Sequence, residues 1–324
     1  MKVHLEDLRT LSQDILEESG LVEGDAHIVT DILLEAELRG RSTHGLIRLP
    51  GIADRLARGG RSAMMLAKDG GAYALVDGQE NLGYLVAHRC ARMVVGKADR
   101  VGLGVVGAFH TNHCGMLGYY ASMIADAGMV GLVMCDTYPR IVPWGGTEAV
   151  LGTNPIAAGF PAPGGQILVD MSAAAITNGQ ILMAIKDGVD IPEGVALGPD
   201  GKLTTDPEVA RKGSALPFGG HKGYALGVMV QILSGIMMQG APVPEVGKDY
   251  GIFMLAIEPT IFIDKQAFQG GIQEFVDRIK GADKAEGVEE ILIPGERAFR
   301  EREVRLREGI EVEEGLLEEL KRLS

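Results

Sequence analysis

A short polar stretch, residues 41–50, holds a histidine and an arginine at a spacing that suits acid–base chemistry. On a helical turn, the four-residue spacing puts the side chains of His44 and Arg48 on one face. Imidazole transfers protons near neutral pH, and guanidinium clamps a carboxylate through two parallel hydrogen bonds. The pair indicates an enzyme that acts on a small organic acid. The ordinary alternative is a helix that ends at a glycine cap, followed by a Ser/Thr cap for the next helix.

A second acid–base candidate, His113, follows an apolar run at residues 101–109 that predicts a buried strand. In α/β sheets, ligands bind at the carboxyl ends of strands, and this histidine is expected to lie at such an end. A core histidine bonded to the backbone is the alternative. The pair His110 and His113 lacks a nearby cluster of further ligands, so no metal site is expected.

Three further segments carry groups that suit a nucleotide. Residues 152–155 and 169–172 are loop and strand-end segments whose polar groups suit ribose hydroxyls and amides. In residues 217–223, two glycines and Lys222 precede a long apolar segment predicted to be helical. Free backbone N–H groups, the helix dipole and the lysine together predict an anion site. A plain glycine-rich helix entry is the alternative, and the spacing of a Walker loop is absent.

The glycines at 102, 104 and 107 match the G-x-G-x-x-G pattern of dinucleotide-binding folds. That pattern binds a dinucleotide where a strand precedes it and a helix begins behind it. Here a helix precedes the glycines, and they lie in a β-branched run that predicts a strand. We interpret them as structural glycines of a crowded sheet, so no Rossmann fingerprint is expected.

Hydrophobic periodicity predicts the elements that must position these groups. Helices alternate with short strands after residue 70, which is typical of an α/β layer. Helices are expected at residues 5–20, from 25 to 39, and at 46–57 (stopped by Gly59-Gly60), 82–98, 119–127, 179–186, 223–238 and 268–279. Strands are expected at residues 72–78, 101–109, 130–135, 167–171, 252–257, 261–263 and 289–293. Residues 187–213 are expected to form a polar excursion, and the charged tail from 296 a solvated appendage that contains a strand and a helix.

Composition narrows the class of protein. The 324 residues are 46% hydrophobic, which indicates a well-buried globular chain. The net charge of −13 disfavours nucleic acid and membrane surfaces as partners. Three cysteines without metal spacing favour a reducing compartment, and the acidic N-terminus does not suit a signal peptide. A cytoplasmic protein is expected.

An ordered set of motifs makes the chain similar, almost end to end, to the type-2 malate/L-lactate dehydrogenase family. The matching pieces are Arg39-Gly40, Thr43-His44-Gly45 with Arg48, Asn112-His113-Cys114-Gly115, Gly118-Tyr119-Tyr120, Pro143-Trp144-Gly145-Gly146, Gly152-Thr153-Asn154-Pro155, Asp170-Met171-Ser172, Thr204-Thr205-Asp206-Pro207, residues 217–223 and Pro294-Gly295-Glu296. The resemblance implies an α/β, non-Rossmann nicotinamide-binding fold with a central mixed sheet and a smaller, mainly helical domain. It also implies a homodimer with the active site between domains. Residues 1–70 with 296–324 would form the helical substrate-side and dimerisation domain, and 71–295 the cofactor-binding domain.

The same resemblance assigns roles to residues. His44 or His113 would exchange a proton with the substrate oxygen, and Arg48 would hold the substrate carboxylate. Thr43, Thr153 and Asn154 would also contact the substrate. The residues that would contact the cofactor, NAD or NADP, are Leu168, Val169, Asp170, Met171, Ser172, Ala173, Ala174, His221, Lys222, Gly295, Glu296 and Arg297.

The leading hypothesis is therefore an NAD(P)-dependent 2-hydroxy-acid dehydrogenase of the malate or lactate type. One alternative is a reductase of a cyclic ketimine such as piperideine-2-carboxylate, and another is a catalytically silent relative that binds a small acid. The chain departs from the common family pattern at Ser42, Thr43, Ile52 and Asp136, and it is short between Gly240 and Gly251. These departures bear on the substrate more than on the class of reaction.

Overall fold

The computed structural model describes residues 1–59 and 62–324. Its strands, numbered along the chain, are β1 (Lys2–Val3), β2 (Met65–Asp69), β3 (Tyr73–Asp77), β4 (Leu103–Thr111), β5 (Val130–Cys135), β6 (Ile156–Ala162), β7 (Gly165–Met171), β8 (Ala196–Leu197), β9 (Ser214–Ala215), β10 (Tyr250–Ile257) and β11 (Ile310–Glu311).

Its α-helices are α1 (Leu5–Glu18), α2 (Glu23–Leu38), α3 (Leu49–Ala57), α4 (Gly83–Val101), α5 (Leu117–Asp126), α6 (Asn178–Asp187), α7 (Pro207–Lys212), α8 (His221–Val230), α9 (Lys265–Lys280), α10 (Glu296–Glu308) and α11 (Glu314–Leu323). Most predicted elements are confirmed, with ends shifted by a few residues. Gly59 follows α3 at a φ of +72°, as expected of a helix stop, whereas Gly60 lies outside the described residues.

A seven-stranded sheet forms the centre of the fold in the order β2-β3-β4-β10-β5-β6-β7. Strands β3 and β4 are parallel and are joined through α4, and the other neighbours are antiparallel. This arrangement confirms the predicted α/β fold with a central mixed sheet. Among the described residues, no helix combines the length and the apolar character needed to cross a bilayer.

The glycines of the G-x-G-x-x-G pattern have the structural roles that the sequence predicts. Gly102 ends α4 at a φ of +82°, where glycine avoids the steric cost of other residues. Gly104 and Gly107 lie within β4, and a Cβ on Gly107 would sit 1.9 Å from the sulfur of Met238. The order is helix then strand, the reverse of a dinucleotide fingerprint.

The N-terminal helices pack against the sheet layer through one continuous hydrophobic cluster. Buried residues of α1, α2 and α3 belong to the same cluster as those of α4, α5 and β4. A fully buried Leu or Ile side chain contributes about 1.5–3 kcal/mol, so this cluster ties the helical part firmly to the sheet. The tail contains the predicted strand and helix, but it is not the solvated appendage that the sequence predicts. Strand β11 pairs with β1, and Leu317 and Leu320 of α11 are buried in the same cluster.

Residues 187–213, predicted as a polar excursion, contain more structure than expected. They include β8 and α7, and β8 pairs with β9. Ile191, Ala196 and Ala210 join Ile181 of α6 and Ala173 in a separate small core. The apolar side chains of this segment are few and far apart in the sequence. They therefore form no helical or strand periodicity from which the packing could be predicted.

Two predicted strands are wrong. At residues 261–263 the chain instead ends a 3₁₀ turn, Pro259–Ile261, in which the Glu258 side chain accepts the Thr260 N–H. Proline at the first helical position favours this turn. Residues 289–293 are irregular, because the Ile293 N–H bonds the Glu296 carboxylate and so turns the chain into α10.

The predicted helix at residues 223–238 is interrupted. Helix α8 ends at Val230, and Gln231–Ile236 form a π-helical turn. Ser234 donates its hydroxyl hydrogen to the carbonyl of Val230, and the Gln231 side chain turns inward to Asp136. Side chains that bond the backbone in this way bend helices.

Candidate active site

The loop between α2 and α3 consists of two short 3₁₀ turns, Ser42–His44 and Leu46–Arg48, joined at Gly45. The expectation of one helical turn through His44 and Arg48 is therefore wrong in detail. The two side chains are nevertheless brought together, because Arg48 Nε donates to the carbonyl of Thr43 at 2.6 Å. Within the described residues, the two terminal nitrogens of Arg48 make no hydrogen bond. Its exposed guanidinium is thus free to bind a carboxylate.

His113 lies in the loop that joins β4 to α5. Its Nδ1 accepts a hydrogen bond from the backbone N–H of Gly115 at 3.3 Å and lies 3.1 Å from the hydroxyl of Tyr84. A backbone N–H cannot become an acceptor, so Nδ1 is held as the unprotonated nitrogen. The neutral tautomer that results carries its proton on Nε2. Asn112 steadies this loop, because its amide bonds Gly83 and Asn81 at the start of α4.

The two histidines meet face to face. Their ring centroids are 5.7 Å apart with an angle of 21° between the planes. His44 Nδ1 lies 3.1 Å from the hydroxyl of Thr43, which is able either to donate or to accept. Burial and the positive charges of Arg48 and Arg41 lower the pKa of His44 to about 4. Burial, Arg48 and His44 lower the pKa of His113 well below its ordinary value. Both rings are therefore neutral in the free protein at pH 7.

We expect this histidine pair to make the folded protein sensitive to mild acid. Below about pH 6.5 the unfolded chain protonates these histidines, whereas the folded protein protonates His44 only near pH 4. Because the folded pKa is lowered, the stabilisation is present above pH 6.5 and is lost as the pH falls towards 4. Urea unfolding of the parent and of His44→Asn, at pH 7 and pH 4.5, measures this. Between pH 7 and pH 4.5, the free energy of unfolding of the parent should fall by about 1–3 kcal/mol more than that of the variant. An equal fall in both proteins would contradict the expectation.

The predicted substrate residues differ in what they offer a ligand. Thr43 is half-buried and packs against the start of α6, where a Cβ on Gly179 would lie 2.3 Å from its methyl group. Asn154 is fully buried, and its side chain bonds Thr137 N–H, the Gly227 carbonyl and Gln231. Its amide is thus committed to internal contacts. The hydroxyl of Thr153 lies 3.3 Å from that of Thr137.

Asn154 belongs to a buried polar network that includes Asp136, one of the departures from the family pattern. Gly251 N–H and the Gln231 amide each donate to one carboxylate oxygen of Asp136. Burial, the larger effect, raises the pKa of this carboxyl to about 7. The network joins the ends of β5 and β10 to the π-helical turn, which accounts for the inward turn of Gln231.

The segments proposed to contact a cofactor come together at the end of β7. The backbone N–H of Leu168 donates to the carbonyl of Pro294 at 3.1 Å, which joins β7 to the start of α10. A cleft of about 370 Å³ lies there, lined by β7 residues, by Gly295 and Arg297, and by Arg41 and Met116. A Cβ on Gly295 would come within 3.1 Å of the Leu168 backbone. The cleft is within the size range of small-molecule sites, and the arginines that line it suit a phosphate.

The other proposed cofactor segment, His221-Lys222, adjoins the same strand end. Phe218 N–H donates to the Ala173 carbonyl at 3.0 Å, which places the glycine loop directly behind residues 172–174. Gly219 and Gly220 have φ values of +56° and +63°, and both His221 and Lys222 are exposed at the start of α8. Trp144 covers this loop, because a Cβ on Gly220 would lie 2.8 Å from its ring.

The loops that carry His44 and His113 are adjacent to the cleft proposed to bind the cofactor. Asp170 lies in the cleft, and its carboxylate accepts the N–H of Gly118 at the start of α5, five residues after His113. The charge of Arg41 acts on both His44 and Asp170. Within residues 1–59 and 62–324, no three His, Cys, Asp or Glu side chains come together as ligands for a metal ion.

Sequence reasoning assigned no role to three residues of this site: Tyr84, Arg41 and Glu37. Tyr84 is buried in the first turn of α4 and contacts His113 across the fold. Arg41 lines the cleft, and Glu37 bonds the backbone of the His44 loop. Tyr84 has no local signal, whereas a glutamate within the apolar end of α2 was a visible exception to the helix pattern.

The model of the malate/L-lactate dehydrogenase family matches residues 3–321 of this chain. The L-sulfolactate dehydrogenase of Methanothermobacter thermautotrophicus is 37% identical, over 99% of this chain and 95% of that protein. The malate dehydrogenase of Pyrococcus horikoshii is 38% identical, over 96% of this chain and 91% of that protein. A Δ1-pyrroline-2-carboxylate/Δ1-piperideine-2-carboxylate reductase of Pseudomonas putida is 30% identical, over 100% of this chain and 97% of that protein.

The fold is also that of a solved relative. The structure of the sulfolactate dehydrogenase of Methanocaldococcus jannaschii superimposes with a TM-score of 0.92 and 36% identity, covering 100% of this chain and 96% of that chain. The agreement extends over both the sheet and the helices that surround it.

Proposed function

The chain belongs to the malate/L-lactate dehydrogenase family and is an oxidoreductase, and from that premise we propose that it transfers a hydride between NAD(P) and a small 2-hydroxy or 2-oxo acid. One observation carries this proposal. Two stacked imidazoles and an exposed guanidinium lie beside a cleft that is lined by two of the segments expected to hold a dinucleotide, residues 168–171 and 295–297. A proton carrier and a carboxylate clamp next to a nucleotide cleft are the parts that this chemistry needs from a protein.

We assign different roles to the two histidines. An imidazolium has N–H donors at both nitrogens, and the Thr43 hydroxyl next to His44 Nδ1 is able to accept such a donor. The Gly115 N–H next to His113 Nδ1 can only donate, so it cannot accept a hydrogen bond from a protonated Nδ1. His44 is therefore the residue that delivers a proton to the substrate oxygen, or receives it in the oxidation direction. His113 stays neutral and donates a hydrogen bond from Nε2 to the same oxygen as charge develops there.

Substrate binding prepares His44 for this role. In the free protein the charge of Arg48 is one reason for its lowered pKa. A carboxylate bound to Arg48 neutralises that charge, so the pKa of His44 rises towards neutrality when the acid is bound. The proton donor is thus available in the complex with substrate.

The cofactor segments fit a nicotinamide dinucleotide in their chemistry. Arg41 and Arg297 supply positive charge, residues 168–171 supply an apolar wall with the Asp170 carboxylate, and the start of α8 supplies the exposed side chain of Lys222. The hydride that the carbonyl carbon gains is what the bound dihydronicotinamide supplies. Whether NAD or NADP binds is an outcome of the experiment below.

A panel of substrates tests the proposed reaction. Oxaloacetate, 3-sulfopyruvate, pyruvate and piperideine-2-carboxylate are each offered with NADH and with NADPH, and the loss of absorbance at the dihydronicotinamide band is followed. We expect turnover of a 2-oxo acid with at least one cofactor. Turnover of the imine alone would replace this proposal by the ketimine reductase. Absence of both turnover and cofactor binding, measured by fluorescence, would favour a silent acid-binding relative.

The homodimer also remains a proposal. Apolar side chains are exposed along the π-helical turn and its end, including Ile232, Ile236 and Met237, which are each about half exposed. Clustered exposed apolar residues of this kind are typical of protein interfaces, and they support a second copy of this chain as the partner.

A further inference from the structure

Glu37 is a buried acidic residue in the last turn of α2, and it is only 3% exposed. Acidic residues are almost never buried without partners, because removing the charge from water is costly. Burial raises the pKa of its carboxyl. Such a residue must be explained either by stability or by what it holds in place.

The partners of Glu37 all belong to the loop that follows or to the helix behind it. Its Oε1 accepts the backbone N–H of Leu46 at 2.8 Å, and the Ser42 side chain lies beside the carboxylate, where it acts to lower the pKa of that group. These contacts bracket His44 on both sides. Arg48 is tied to the same loop, since its Nε bonds the Thr43 carbonyl. The carboxylate therefore connects the backbone that carries both proposed functional side chains.

Gly45 shows how closely the loop lies on this carboxylate. A Cβ at that position would lie 2.2 Å from Glu37 Oε1 and 2.7 Å from its Cγ. The φ of Gly45 is −96°, which residues with side chains also adopt, so the need for glycine comes from the close approach. Glutamate and glycine form a matched pair, in which the missing side chain makes room for the carboxylate.

The back of the same turn is held by α10. Arg305 donates from Nη1 to the Glu37 backbone carbonyl at 2.7 Å, and Arg302 bonds the Glu35 carboxylate. Helix α10 begins at Glu296, and its neighbours Gly295 and Arg297 line the proposed cofactor cleft. One helix thus contacts the cofactor cleft at its start and the base of the His44 loop further along.

From these contacts we infer that Glu37 is a positioning residue, which sets the place of His44 and Arg48 by holding the Ser42–Leu46 backbone. This inference rests on the proposed function for its kinetic consequences. Its structural part, the control of the His44 environment by Glu37, stands on the contacts alone. Misplacement of a reacting group by about 1 Å costs roughly 10²-fold in rate, so loss of this contact should be visible in turnover.

Four variants test the inference: Glu37→Ala, Glu37→Gln, Gly45→Ala and the double variant Glu37→Ala/Gly45→Ala. We expect Glu37→Ala to lower kcat by roughly 10²-fold and to raise the substrate KM, with the Kd of NADH or NADPH unchanged. Glu37→Gln keeps an oxygen that accepts the Leu46 N–H. The Ser42 hydroxyl can accept a hydrogen bond as well as donate one, so it also tolerates an amide NH₂ at this position, and this variant should keep most of the parental activity. Gly45→Ala should be impaired like Glu37→Ala. The double variant should be no worse than Glu37→Ala, because truncation makes room for the new Cβ.

A second readout needs no activity. NMR titration of the His44 imidazole should show its pKa moving towards the ordinary value in Glu37→Ala and staying low in Glu37→Gln. A lower Tm with unchanged kcat, KM and His44 titration in Glu37→Ala would overturn the inference and leave Glu37 as a stabilising residue. Equal damage by Glu37→Gln would overturn it as well. If the parent turns over no substrate while the titration behaves as expected, the proposed function fails and the inference stands.

Discussion

Replacing His44 by asparagine is expected to lower kcat by about 10²–10⁴-fold, the contribution that a positioned proton donor makes. Asparagine keeps a polar group beside Thr43 but carries no transferable proton. The cofactor Kd should not change, because the proposed cofactor cleft is formed by β7 and by the start of α10. The pH dependence of kcat, which reports groups of the substrate complex, should also become flat over the range in which the parent shows an inflection, since the titrating group is gone. Steady-state kinetics between pH 5 and 9 measure both effects.

The partner histidine provides the contrast that decides between the two rings. We expect His113→Asn to lower kcat, by about 10²-fold, while the inflection of the pH profile persists, because His113 donates a hydrogen bond without changing its protonation. His27→Asn, an exposed histidine on α2 paired with Asp31, serves as a matched control that should resemble the parent. If the inflection disappears in His113→Asn and persists in His44→Asn, the roles that we assign are reversed. If both variants turn over substrate at the parental rate, neither histidine takes part in the reaction.

Replacing Arg48 by alanine is expected to cost about 2–4 kcal/mol of transition-state stabilisation, roughly 30- to 1,000-fold in kcat/KM. The free terminal nitrogens of Arg48 are the groups proposed to hold the substrate carboxylate. The loss should appear mainly in the substrate KM, because the carboxylate is bound in both the ground state and the transition state. Arg48→Lys should recover only part of it, since an ammonium lacks the planar fork.

The specificity of this loss for the carboxylate is checked in two ways. Arg58→Ala removes an exposed arginine that follows α3 and pairs with Asp54, and it should leave KM unchanged. The ester or amide of the preferred substrate should be a poor substrate for the parent and should lose little further in Arg48→Ala. If Arg48→Ala lowers the activity towards the acid and towards the amide by the same factor, Arg48 supports the loop through Thr43 and does not bind the carboxylate.

Sequence reasoning was most accurate where local pattern governs structure. The helical period of α1 and α2, the apolar runs of β4, β5 and β10, and the incompatibility of the 102–107 glycines with a nucleotide turn were all legible, because each depends on neighbours along the chain. Sequence reasoning failed where contacts with residues elsewhere in the chain decide the backbone conformation. The apolar residues near 261 and 291 suit strands, but Pro259 and the Glu296 bond turn the backbone away. The continuous helix at 223–238 was likewise broken by contacts of Gln231 with remote Asp136.

By itself, then, the sequence determined the class of fold, the family and the loop that carries His44 and Arg48. Motif order and hydrophobic period are properties of the chain read in one dimension. Only the tertiary structure decided how those residues act together. It stacked His44 on His113, placed Tyr84 and the Gly115 N–H against one ring alone, and set Glu37 under the glycine of the loop. The physical reason is that the direction of a hydrogen bond and the fit of one side chain against another depend on where distant segments meet, which no local pattern encodes.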